Sequence, residues 1–298
     1  MWDAYFDGLK EDIKSRRDRG KDLSIMSMPS LDKDIWGIQK KKLTIIGARP
    51  SQGKSALLRA MTLDFIRQRK NTMVFSWEET KDGFVENLLS LYGLVNNFDI
   101  VTGNFGTEKH TEAINGLKNI LIKNNLHIIE RRGRTVGDFE RLVRQAKNLD
   151  CVMVDYLQLI DTSGYNSEKQ AYDEFLKTAR SLSQELGFSI VVASQINRAT
   201  IQNKQVTPPM MNELKGSGVL EEHADLIFLL HWDYFYNRND ISTKNDYKII
   251  VAKNKQTGRT FIKDCFFYPE YFKISETPLE GEHKEYSPHE KEDNPLGC

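Results

Sequence analysis

Eight residues, Ala48-Arg49-Pro50-Ser51-Gln52-Gly53-Lys54-Ser55, stand between an apolar run and a helical pattern. They fit the phosphate-loop spacing G-x-x-x-x-G-K-[ST], with Ala48 in the first glycine position. Such a loop binds because successive backbone N–H groups and the start of the following helix converge on an anion. In that arrangement Lys54 reaches the β and γ phosphates of a nucleoside triphosphate, and Ser55 ligates Mg²⁺. A glycine-lysine-serine triplet alone is common; the strand pattern before it and the helix pattern after it make this one specific.

Further along, the apolar run Cys151-Val152-Met153-Val154 ends in Asp155. In phosphate-loop folds the strand beside the loop supplies an acid that holds the Mg²⁺ shell, which is the role expected of Asp155. Without the loop it would read as an ordinary strand-end or helix-capping aspartate. The stretch Phe75-Ser76-Trp77-Glu78-Glu79 puts two carboxylates at the end of another strand pattern. Glu78 is the expected base that orients and deprotonates an attacking water, with Glu79 as the second choice. The same acids also suit the first turn of a helix beginning near Thr80. Ser194-Gln195 closes a fourth apolar run and sets a neutral side chain where a γ phosphate and a nearby loop can both be sensed. The three cysteines, Cys151, Cys265 and Cys298, form no CxxC pair, and the six histidines form no zinc spacing. His127 and His231 sit in or beside apolar runs and read as core histidines.

These groups need a scaffold that brings strand ends together. From Leu43 onward, apolar runs alternate with helical patterns: 43–48 then 54–70, 71–77 then 81–96, 126–130 then 136–148, and 151–160 then 167–186. The runs 188–195, 224–232, 247–254 and 259–267 follow. That alternation predicts an α/β fold with a mostly parallel twisted sheet flanked by helices. The last runs lack intervening helices and are expected to form an edge β-hairpin. Residues 1–18 place Trp2, Tyr5, Phe6, Leu9 and Ile13 on one face of an amphipathic helix that needs a partner. Residues 19–34 read as a linker, 35–275 as the core domain, and 276–298, with seven acids against two lysines, as a disordered tail.

The 42 basic and 42 acidic side chains cancel, which weakens any nucleic-acid coating role but leaves room for a local basic channel. No apolar run approaches the roughly 20 residues that span a bilayer. The N-terminal stretch carries acids and lacks a continuous apolar core, so it is not a secretory signal and a cytoplasmic address is expected.

Five stretches stand in order: ARPSQGKS (Ala48 to Ser55), DYLQL (Asp155 to Leu159), SQINR (Ser194 to Arg198), LKGSG (Leu214 to Gly218) and EEHAD (Glu221 to Asp225). Together they resemble the RecA-like motor domain of the DnaB family of replicative hexameric DNA helicases, bacterial or phage, over about residues 25 to 275. The resemblance implies a RecA-like P-loop core, ATP with Mg²⁺ bound between neighbours in a six-subunit ring, and single-stranded DNA in the central channel. It also implies primase, loader or other replication proteins as partners, in a bacterial cell or phage-infected host. Carried over, Lys54 and Ser55 match the phosphate and magnesium ligands, Asp155 the second-strand acid, Glu78 the catalytic glutamate and Gln195 the γ-phosphate sensor. Lys215-Gly216-Ser217-Gly218 match the loop that grips the DNA backbone without reading sequence, although such residues also begin ordinary helices. Loops 161–169 and 199–213 resemble channel-facing segments, with only Lys169 and Lys204 basic.

Two departures stand out. Where the family carries a lysine and an arginine that reach the neighbour's γ phosphate, this chain has Lys253-Asn254-Lys255. A lysine finger lacks the planar fork of arginine, so that role falls to Lys255 or to Arg259. Alternatively the lysines are the solvated face of an edge strand. Bacterial relatives also carry a helical N-terminal domain that binds primase, whereas only residues 1–34 precede the core in this sequence. Ring assembly is then expected to rest on the motor domains and on the 1–18 helix docking on a neighbour. The competing readings are a RecA or RadA-like recombination ATPase and a slowly hydrolysing assembly module; DYLQL with SQ-x-NR favours the helicase over the former.

Overall fold

A computed structural model of the chain describes residues 2, 5–11, 21–196, 207–214, 216–236, 238–239 and 241–279, without the side chain of Ser217. Near-continuous apolar runs suit strands covered on both faces, as in parallel sheets wrapped by helices. They form β1 (Leu43–Ala48), β2 (Thr72–Ser76), β3 (Leu126–Glu130), β4 (Cys151–Asp155), β5 (Ser189–Gln195) and β6 (Leu226–His231). Three more follow, β7 (Asp246–Asn254), β8 (Phe261–Tyr268) and β9 (Lys273–Ser275), giving one sheet in the order β3-β2-β4-β5-β1-β6-β7-β8-β9. From β3 to β6 in that order neighbours are parallel; from β6 onward they are antiparallel. The architecture is therefore the expected α/β core, with a three-strand meander where a hairpin was expected.

The helices are α1 (Pro29–Ile35), α2 (Lys54–Arg67), α3 (Lys81–Gly93), α4 (Asn97–Thr102), α5 (Glu108–Lys123), α6 (Val136–Gln145), α7 (Glu168–Leu186) and α8 (Ser217–His223). Successive strand residues point to opposite faces, so Ile46 joins one core with Phe65, Met153 and Phe228 while Ile45 joins the other with Phe75, Phe175 and Val192.

The chain departs from the sequence reading at four places. Residues 19–34 are not a linker throughout: Leu23, Ile25, Met28 and Leu31 are fully buried, and α1 begins at Pro29. Glu276, assigned to the tail, accepts from the backbone N–H groups of Ser30 and Leu31 at 2.9 and 2.6 Å, which satisfies the open donors of α1. The pattern over 81–96 stops at Gly93, and α4 and α5 fill a stretch assigned no element. His127 is exposed because β3 is the edge strand; His231 is buried as expected. Residues 5–11 are helical with Trp2, Tyr5 and Phe6 exposed, whereas 12–20, the loop 197–206 with Lys204, Lys215 and the stretch 280–298 lie outside the described residues.

Candidate nucleotide site

Parallel strands present all their carboxyl ends at one edge of the sheet, where open α/β folds bind ligands. The phosphate loop follows β1, Glu78 follows β2, Asp155 ends β4 and Gln195 ends β5. Register keeps them level: Ser76 pairs with Asp155, and Ala48 pairs with Gln195. Four segments far apart in sequence thus meet around one cleft of about 600 Å³, within the size range of small-molecule sites.

Of the eight loop residues, Pro50, Ser51, Gly53, Lys54 and Ser55 line the cleft. Ala48, Arg49 and Gln52 are buried and do not line it. Ser51 and Gly53 take positive φ of 60° and 83°, and a Cβ on Gly53 would lie 2.8 Å from the Tyr247 hydroxyl, so only glycine fits there. The loop is braced from outside: Tyr247 donates to the Gln52 carbonyl at 2.6 Å, and the Trp232 N–H donates to Gln52 Oε1 at 2.6 Å. Lys54 Nζ lies 5.1 Å from the centre of the Tyr156 ring, and among the described residues no carboxylate pairs with it. Its charge stays available to an anion. Trp232, Phe267, Pro269 and Phe272 form an apolar wall on the other side of the cleft. A polar, cationic floor beside flat apolar surface suits a nucleotide.

The two glutamates after β2 separate cleanly. Glu79 is held by Arg59 at 3.0 Å and by Asn87 at 2.8 Å. Glu78 lines the cleft and has no hydrogen bond or ion pair among the described residues. Partial desolvation in the cleft, then repulsion from Asp155, raises its pKa, while Lys54 opposes the rise. That is the environment of a proton acceptor poised above ordinary carboxylates. Asp155 is buried, and its Oδ1 has no hydrogen-bond partner. A buried, unsatisfied carboxylate oxygen facing a hydroxyl-bearing phosphate loop fits a hard cation held jointly with Ser55 and phosphate oxygens. No cluster of three or more His, Cys, Asp or Glu side chains forms a metal cage among the described residues, so the phosphates would have to complete the shell.

Gln195 is positioned by a residue with no role assigned from sequence. Gln158 Oε1 accepts from the Gln195 N–H at 2.9 Å, and Gln158 Nε2 donates to Ser194 Oγ at 2.9 Å. The glutamine of DYLQL therefore fixes the end of β5. Immediately beyond, Ile196 bridges to Leu214; Gly216 adopts φ 85° and caps α8, whose first turn holds Ser217 and Gly218 of the expected DNA-backbone loop.

Lys253 and Lys255 are not brought to this cleft. Lys253 pairs with Ile227, which pairs with Ile45, so it lies three residues below the carboxyl end of β1, about 10 Å along the strands. Lys253 donates to the Glu221 carbonyl and Lys255 reaches the Glu222 carbonyl at 3.5 Å, at the far end of the sheet. Desolvation, then the neighbouring Lys255, lowers the Lys253 pKa.

A family model for the DnaB-like helicase C-terminal domain matches residues 26–276. The chain belongs to that family. As a DnaB-like domain it is 30% identical over 253 residues to the replicative DNA helicase DnaB of Geobacillus stearothermophilus, covering 82% of this chain and 54% of the relative. It is 29% identical to the replicative DNA helicase DnaC of Bacillus subtilis, with the same coverages. The chain spans about half the length of the curated relatives it matches. A solved DnaB-like replicative helicase, described with its interactions with primase, superposes with a TM-score of 0.78 at 26% identity, covering 92% of this chain and 66% of that one. A solved ATPase domain superposes equally well at 25% identity, covering 92% and 98%. The DnaB-like domain thus carries the RecA-like fold expected, and the recombination ATPase reading is not favoured.

Proposed function

We propose that the chain is an ATP-hydrolysing motor that moves along single-stranded DNA and unwinds duplex as a replicative helicase. The observation that carries this is the gathering of Lys54, Ser55, Glu78, Asp155 and Gln195 around one cleft, with Gln195 one residue from the bridge to the 214–218 segment. Family membership adds the class of reaction. In this reading Lys54 binds the β and γ phosphates, the apolar wall takes the base, and Glu78 accepts the proton of the attacking water on a carboxylate oxygen. Ser55 and Asp155 would hold Mg²⁺, which when bound neutralises charge on the phosphate oxygens.

Lys215, Gly216, Ser217 and Gly218 are the proposed DNA-backbone contacts. Lys253 and Lys255, at the opposite end of the sheet from their own phosphate loop, are proposed to serve a neighbouring subunit's γ phosphate. A closed ring, six-membered as in the family resemblance, satisfies that geometry for every subunit. The exposed aromatic residues of the 5–11 helix and Trp2 are proposed to dock on a neighbour, with primase or a loader as further partners in the cytoplasm. Among the described residues no helix is long and apolar enough to cross a membrane.

Steady-state ATP hydrolysis with and without single-stranded DNA, beside Lys54→Ala, tests the reading. DNA-stimulated turnover that vanishes in the variant supports a motor. ATP binding with negligible turnover on any DNA would sink it in favour of an assembly module.

A further inference from the structure

Arg49 belongs to the phosphate loop by sequence, yet it turns away from the cleft. Its guanidinium is buried, with a side-chain exposure of 5%, and donates from Nη2 to Glu213 Oε2 at 2.7 Å and from Nη1 to the Thr207 carbonyl at 3.2 Å. Glu213 closes a one-turn 3₁₀ segment, Met211–Glu213, and its other oxygen accepts from the Met210 N–H at 3.3 Å. One residue further, Leu214 is buried against Gly47, where any Cβ would come within 2.5 Å of Leu214 Cδ2. Leu214 also bridges to Ile196, whose N–H donates to the Ala48 carbonyl at 2.9 Å. The segment 207–214 is thus fastened to the start of the phosphate loop at three points: an ion pair at Glu213, a backbone bond at Thr207 and close packing of Leu214 on Gly47.

A buried guanidinium bonded to a carboxylate through one nitrogen and to a carbonyl through another holds a fixed geometry, because breaking the pair strands a charge away from water. Close packing at Gly47 leaves no slack between β1 and Leu214. A shift of the phosphate loop on nucleotide binding or hydrolysis therefore carries 207–214 with it, and the proposed DNA-backbone loop starts at the next residue.

We infer that the Arg49–Glu213 ion pair couples the phosphate loop to the DNA-facing segment, with Glu213 as a positioning residue for DNA-stimulated hydrolysis. This rests on the reading of the chain as a DNA-stimulated ATPase. Sites joined by a rigid element that both ligands bias share a coupling free energy, which shows as a change in one ligand's effect on the other.

The experiment compares wild type, Glu213→Gln, Arg49→Gln and the double variant. It reads ATP turnover without DNA, the fold-stimulation by a single-stranded oligonucleotide, and the Kd of a fluorescent ADP analogue. Glu213→Gln should keep its basal turnover and its nucleotide Kd within about twofold while stimulation falls about fivefold or more, the lower end of ordinary coupling. The double variant should lose no more stimulation than Glu213→Gln alone, because both substitutions remove the same link. Wild-type stimulation in Glu213→Gln, additive losses in the double variant, or basal turnover and Kd that worsen in step with stimulation would each overturn the coupling. A wild type that hydrolyses ATP without any response to DNA refutes the motor reading and the coupling with it. If Glu213→Gln proves insoluble, Glu213→Asp, which withdraws the carboxylate by one methylene, makes the same test.

Discussion

Arg59 grips Glu79 through both Nε and Nη2, at 3.2 and 3.0 Å, so of the two glutamates that line the cleft Glu78 is the one whose carboxylate is unpaired among the described residues. The two neighbours should fail differently. Glu78→Gln should bind ATP and lose about 10²-fold or more of turnover, the contribution typical of a positioned base. Glu79→Gln should keep most turnover but lower Tm by a few degrees, as loss of about 1–2 kcal/mol from a partly exposed pair implies. Turnover and thermal melts on both variants check this, and equal catalytic losses would remove Glu78 from the role.

The raised pKa of Glu78 gives the reaction a pH signature. A base acts when deprotonated, so the rate falls as pH drops through its pKa. Because desolvation and Asp155 hold that pKa above the ordinary value of about 4.3, the acid limb of the kcat/KM profile, which reports the free enzyme, should lie higher than a free glutamate would place it. The limb should be absent from the residual activity of Glu78→Gln. A pH–rate profile at ATP well below KM decides the point.

Asp155 Oδ1 is buried without a partner, an arrangement that favours function over stability. Asp155→Asn should therefore fold normally, with Tm unchanged or a few degrees higher, while metal-dependent ATP turnover is lost. Calorimetry without nucleotide, set beside turnover with Mg²⁺, measures both sides. A strongly lowered Tm would show that the carboxylate is structural.

If Lys255 serves the next subunit, two inactive variants should rescue each other. Lys54→Ala subunits keep the lysine pair but lack a working phosphate loop; Lys255→Ala subunits are the reverse. Mixed and allowed to exchange, they form some interfaces with both halves intact, and turnover should rise above that of either variant alone. No recovery despite proven subunit exchange would argue for action within one chain.

Tyr247 donates to the Gln52 carbonyl from a strand nearly two hundred residues away. Tyr247→Phe keeps the ring packing and removes only that bond, at a cost of about 1 kcal/mol. The loosened loop should show as a raised KM for ATP with a smaller change in kcat.

The division between legible and hidden features follows from range. The phosphate loop, the strand ends at Asp155 and Gln195, and the core strands carry local signals of spacing and apolar run length, and all lie where the reading put them. Segment 19–34 looked like a linker because Gly, Ser and Pro punctuate it, while the burial of its residues depends on Leu23 and Leu31 meeting a surface built elsewhere. Helix α4 is six residues long and buries none of them, which leaves no periodic contrast; α5 carries a legible apolar stripe with Ala113 and Leu117 buried, and that signal went unread. Arg49, Gln158 and Tyr247 act through partners such as Glu213 and Gln195 that no window of neighbouring residues contains.

Glu276 holds the first turn of α1 through Ser30 and Leu31, so the two ends of the folded core meet. Topologically the domain is almost a closed loop of chain, cut at one spot on its surface. Joining residue 279 to residue 21 through a peptide long enough to span them, which keeps the buried Leu23, Ile25 and Met28, and opening the chain at an exposed turn such as 103–106 should give a circular permutant with the same fold. By the same contact, Ser30, Leu31 and Glu276 stay side by side whatever polypeptide continues from either end of the core.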